Sequence, residues 1–131
     1  MQFLSVIVAA IATFAFGAAY YMALAKPWMA AAQIKVDADG KPENESPVPY
    51  VVSLIMILLV AGMMRHTFSL GEIDTFFEAA TTGLGIGLFF ISPWIFINTG
   101  YSDRPWALAV IDSGYATFGC LIMGIVLHLM P

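Results

Sequence analysis

The sequence predicts an all-α membrane protein: four transmembrane helices, with both termini on the same side of the bilayer. Three observations predict it. Hydrophobic residues make up 60% of the 131 and charged residues only 11%, too few to cover the surface of a soluble domain this small. Four apolar stretches are each long enough to cross ~30 Å of hydrocarbon at about 1.5 Å per residue. The remaining polar residues collect between those stretches, as loops outside the hydrocarbon should.

The first helix is expected over 2–25. Residues 2–24 carry no charge, and Tyr20, Tyr21 and Trp28 stand at the far end, where amphipathic rings favour the headgroup region. Ala23-Leu24-Ala25 has the small-x-small form of a signal-peptidase site. No Lys or Arg precedes the run, however, and it is long for a signal h-region, so it reads as a span. Residues 28–36 either extend this helix or lie along the interface. Residues 37–49, from Asp37 to Pro49, form a solvated linker by their Pro, Gly and charge content.

The second helix is expected over 48–66, closed by Arg65 and His66. Ser69-x-x-Glu72 has the spacing of a capping box, with Asp74 following near a helix start, so the third helix is placed over 73–98. Pro93 removes one backbone bond and should kink it. A tight turn over 99–105 leads to the fourth helix, 105–130, in which Asp112 is the only acidic or basic residue besides His128. The whole chain reads as a single four-helix domain.

A faint internal repeat suggests two helical hairpins of like orientation. Gly17 precedes Pro27-Trp28 by the same interval at which Gly83 precedes Pro93-Trp94, and Leu54-Ile-Met56 answers Leu121-Ile-Met123. The loops set orientation. Lys26, Lys35, Lys41 and Arg104 fall on one side and only Arg65 on the other. The positive-inside rule then puts the first and third loops in the cytoplasm of a bacterial inner membrane and the termini in the periplasm.

Asp112 is the residue with most to say about chemistry. It lies about 9 Å into the last helix, and a carboxylate at that depth needs a partner or a wet cavity. Tyr115, one turn on, can donate to it, and Asn98 and Arg104 stand at the same membrane level. The functional reading is a proton- or cation-binding carboxylate. The plainer reading, and the favoured one, is a clasp that fixes the last two helices together. Glu78 is the second candidate carboxylate, with Thr75, Thr81 and Thr82 as the start of a polar path. Its plainer and preferred role is at a helix N-terminus, where the dipole favours negative charge.

Small residues mark packing faces. Gly83 and Gly87 have the small-xxx-small spacing, Gly114 and Gly124 lie on the last helix, and Gly17 on the first. Without side chains, helix backbones approach closely and gain van der Waals contact. His66 and His128 are weak metal or haem candidates without a ligand spacing. No metal or cofactor is predicted, although a lipid or pigment shared with a host complex would fit such a chain. Cys120 stands alone, so no intramolecular disulfide forms. The net charge of −4 offers no basic face for nucleic acid.

Phe16-Gly-Ala-Ala-Tyr-Tyr21 with Lys26-Pro-Trp-Met29, and Asn98, Asp103-Arg104, Trp106 and Ile111-Asp-Ser-Gly-Tyr115, together resemble the bacterial domain of unknown function 1761 family. The resemblance covers both ends of the chain and is weaker through the linker and second helix. It implies a small polytopic inner-membrane protein with no established activity or cofactor, and it marks Asn98, Asp112 and Tyr115 as a set worth testing.

The function expected from these residues is non-enzymatic. The chain would act through helix packing in the bilayer, as a homo-oligomer or as an accessory subunit among other membrane proteins. The alternative is a small proton- or cation-coupled carrier or channel that uses Asp112.

Overall fold

The computed structural model describes residues 2–43 and 45–131; Asn44, in the expected linker, and Met1 lie outside the described residues. The chain is helical nearly throughout. The elements are α1 (Gln2–Ala23), α2 (Ala25–Ala32), α3 (Val48–Leu70), α4 (Phe76–Gly85), a π-helical turn (Ile86–Ile91), α5 (Ser92–Tyr101) and α6 (Trp106–Leu129). Among the described residues, four helical segments are long and apolar enough to cross a membrane: α1, α3, the continuous run from Phe76 to Tyr101, and α6. Four crossings return the chain to the side on which it began.

α6 is the axis of the bundle. It packs against α1 and α2 on one side and against α4, the π turn and α5 on the other, while α3 leans chiefly on α1. α6 is accordingly the most buried span and α3 the least. The contacts between the two hairpins therefore run mainly through α1 and α6, the first helix of one and the last of the other. Met64, Phe68, Met123 and Leu127 pack at the terminal end of the bundle, with Ala9, Ala61, Ala79 and Cys120 filling the gaps around them.

The third span departs from regular α-geometry just before Pro93. Pro93 has no N–H to give the carbonyl one turn earlier, so the ladder must be rearranged there. The chain does this with a π turn, in which the Ser92 backbone N–H bonds the Gly87 carbonyl five residues back. Pro93 then sits in the first turn of α5, where a missing donor costs nothing. The expected kink is thus resolved as an extra residue within the helix.

Proline also explains why the first span ends at Ala23 and not at residue 25. Pro27 cannot donate to the Ala23 carbonyl, the chain breaks at Leu24, and α2 restarts with Pro27 in its first turn. α2 then packs on α6. It ends at Gln33, whose backbone is left-handed (φ 59°) and whose N–H returns to the Ala30 and Met29 carbonyls. The linker that follows is exposed and locally ordered. Asp37 Oδ1 accepts from the backbone N–H groups of Asp39 (2.9 Å) and Lys41 (3.0 Å), and Gly40 takes the positive φ (+77°) this turn requires.

The expected box at Ser69–Glu72 does not form. α3 stays helical through Leu70, because Met64 and Phe68 hold its last turns in the core. The box forms instead at Thr75 and Glu78. Thr75 Oγ1 accepts from Glu78 N (3.2 Å), and Glu78 Oε2 accepts from Thr75 N (3.1 Å).

Candidate functional site

Asp112 is half-buried on the second turn of α6, and the structure supplies its partner from an unexpected helix. Tyr21, near the end of α1, donates its hydroxyl to Asp112 Oδ1 at 2.7 Å. Beside this bond stands a cluster of rings. Tyr21 meets Tyr115 edge-on at 5.4 Å and Trp28 of α2 at 5.7 Å, and Phe16 stacks on Tyr115 at 6.0 Å. A hydroxyl-to-carboxylate bond amid aromatic rings loses little to competing water, which is why it holds in a site otherwise costly for a charge.

The bond is one rung of a ladder joining α1 to α6. Tyr20 donates to the Ile111 carbonyl (2.6 Å), Tyr115 donates to the Thr13 carbonyl (3.3 Å), and Thr13 donates to the Gly119 carbonyl (3.3 Å). From Tyr20 and Tyr21 back to Thr13 on α1, the partners move forward from Ile111 and Asp112 to Tyr115 and Gly119 on α6, as antiparallel helices require. Two glycines make room for the rings. A Cβ on Gly17 would lie 2.7 Å from the Tyr115 ring, and one on Gly114 would run into the Tyr20 hydroxyl.

Three expectations about this site are corrected. Tyr115 does not serve Asp112, because its hydroxyl points along α1 to Thr13. Asn98 is exposed on α5, and its carbonyl accepts from Ser102 within its own turn (2.7 Å). Arg104 turns away to the end of α2, where Nη1 bonds the Ala32 carbonyl and approaches Gln33 Oε1 at 3.4 Å. A cation at a helix C-terminus meets the negative end of the dipole, and that competes successfully for Arg104. The clasp therefore joins the first span to the last, where the sequence suggested the last two.

The other side of α6 is built differently. A Cβ on Gly83 would strike the Cys120 carbonyl, one on Gly87 would lie 2.6 Å from Thr117 Cα, and one on Gly124 would lie 2.6 Å from the Ala79 carbonyl. The small-residue stripe is spent on contact within the chain. Above it, Ser92 Oγ donates to the Gly87 carbonyl (2.6 Å) and lies 3.3 Å from Thr117 Oγ1, while Ser113 Oγ is buried with no partner among the described residues.

The remaining candidates stand apart from Asp112. Glu78 is exposed and engaged in its cap, and Thr81 bonds back to the Phe77 carbonyl (2.7 Å), which interrupts the expected polar path. His66 is exposed and His128 packs edge-on against Phe76 at 6.1 Å. Among the described residues, no three His, Cys, Asp or Glu side chains gather as a metal site would require.

Sequence reasoning missed Tyr21 as the partner of Asp112. The signal was present in the Tyr20-Tyr21 pair at the end of a span, but aromatic residues there are equally expected of an interfacial belt.

A model for a family of proteins of unknown function, DUF1761, matches residues 4–128. The chain belongs to the DUF1761 family. The match runs through all four spans and includes the linker and second helix, where the quoted motifs are thinnest. No curated protein and no solved structure matches the chain.

Proposed function

We propose that this DUF1761 protein is a non-enzymatic component of a bacterial inner membrane that works by helix packing, with copies of itself or as an accessory subunit beside other membrane proteins. The observation that carries this reading is the Tyr21–Asp112 bond. It gives the most unusual residue of the spans a structural task, tying α1 to α6. Within the chain α3 is the least buried span and leans chiefly on α1, which leaves most of its length for a neighbour or lipid. The cytoplasmic placement of the first and third loops rests on Lys26, Lys35, Lys41 and Arg104.

Purification in a mild detergent tests the proposal, with cross-linking in the membrane beforehand. A defined oligomer or a reproducible membrane-protein partner is expected; a lone monomer under both conditions rejects it. Single cysteines in the linker of a Cys120→Ser chain test orientation, and their labelling in intact cells by an impermeant reagent would reverse it.

A second reading, proton or cation carriage by Asp112, is favoured by one observation: among the described residues the carboxylate is hydrogen-bonded by a neutral phenol and by no cation. Asp112→Asn keeps an oxygen for Tyr21 and removes the titratable group. A carrier loses transport in this variant while remaining folded. For a clasp, Tyr21→Phe is the more damaging change, and it acts on stability.

A further inference from the structure

At the terminal end of the bundle, away from Asp112, a cavity of about 320 Å³ opens between the end of α3 and the turn leading to α4. Its polar wall is Arg65, Ser69, Glu72 and Asp74, and Phe68, Ile73 and Pro131 complete the lining.

Arg65 is anchored in a way that leaves it donors to spare. Its Nη2 bonds Ser5 Oγ (2.8 Å), the Leu127 carbonyl (2.6 Å) and the Met130 carbonyl (2.8 Å), so one nitrogen gathers the ends of α1 and α6. None of these acceptors is a carboxylate. Nε is buried without a partner among the described residues, and the side chain forms part of the cavity wall. The burial of Nε seals it from a ligand, so the donors left over on this fixed guanidinium are those of Nη1, which bonds nothing among the described residues and suits a tetrahedral oxyanion.

An anion alone is a poor fit, because Glu72 and Asp74 share the wall. A ligand that carries both charges fits better. Arg65 lies about one and a half turns inside the end of α3, and Glu72 and Asp74 lie in the turn just outside it, so the two signs are offset along the helix axis at the outer end of a span. Leu70, Phe76 and Phe77 of the adjoining helix ends are exposed, as acyl chains at that level would require.

From this we infer that the cavity binds the headgroup of an aminophospholipid, with its phosphate on Arg65 and Ser69 and its primary ammonium on Glu72 and Asp74. This goes beyond the packing role proposed above and does not depend on it.

The test is native mass spectrometry of the full chain from nanodiscs holding equal parts phosphatidylethanolamine, phosphatidylcholine and phosphatidylglycerol. Phosphatidylethanolamine should be retained about tenfold over both others, the worth of a charge-assisted hydrogen bond that a trimethylated ammonium or a glycerol lacks. Because Arg65 also ties helix ends, the decisive variant is Glu72→Gln with Asp74→Asn, whose side chains make none of the bonds described above. The ethanolamine-over-choline preference should fall towards one in this variant. Equal retention of the three lipids, a preference for phosphatidylglycerol, or an unchanged ratio in the double variant would each overturn the proposal. So would binding of soluble glycerophosphoethanolamine with no selection among the lipids.

Discussion

The two sides of α6 solve one problem by different means. Towards α1 it is held by rungs from tyrosine and threonine hydroxyls, with rings seated over Gly17 and Gly114. Towards the third span it is held by backbone against backbone, through Ala79, Gly83, Gly87 and Gly124. In lipid there is no hydrophobic force between helices, so these are the two adhesives available. They differ in tolerance. A side chain can swing aside and a hydroxyl bond can be replaced by a weaker one, whereas a main chain has nowhere to go. The second interface should therefore be the brittle one.

The largest effect is expected from Gly87→Ala. The new methyl meets the Ala116 and Thr117 backbone, and the helices must separate to admit it. A loss of about 3 kcal/mol is expected from such overpacking, measured as unfolding by SDS titration in micelles. A near-neutral Gly87→Ala would remove the distinction between the two sides.

Gly17→Ala should cost less, about 1–2 kcal/mol, because its methyl meets a movable ring. Combining it with Tyr115→Leu should recover part of the loss, which is the mark of a side-chain clash. Absence of recovery would mean that the α1 side is as rigid as the other.

Tyr21→Phe should cost about 1 kcal/mol, within the range of single interhelical bonds in membranes. The matching variant, Asp112→Asn, should cost less than Tyr21→Phe, since its Oδ1 still accepts. The reverse order would point to a task for the charge itself. Ser92→Ala should be the mildest, about 0.6 kcal/mol, because the Gly87 carbonyl keeps its bond from the Ser92 backbone.

The brittle side was the more legible in sequence. Gly83 and Gly87 announce a packing face by their spacing alone, and hydropathy marks all four spans. The α1 side was not legible, because Tyr21 and Asp112 are 91 residues apart and nothing local distinguishes a tyrosine that reaches inward from one that anchors at the interface. The displaced helix start has a different cause. Ser69–Glu72 and Thr75–Glu78 are equally good boxes by spacing, and the choice falls to Phe68, whose burial keeps α3 helical past the first of them. Arg104 shows a third kind of opacity: α2 had to exist before its carbonyl end could attract the guanidinium.

The π turn has a consequence for the length of the third span. Its α6-facing residues fall at Ala79, Gly83 and Gly87, each four apart, and then at Ser92, five on. The odd interval is what a one-residue insertion leaves when the surrounding register is kept. A chain shortened by one residue between Leu88 and Ile91 would return Pro93 to the interior of a regular helix, its ring against the carbonyl one turn back, so the extra position is what lets this span keep both its proline and its seam with α6.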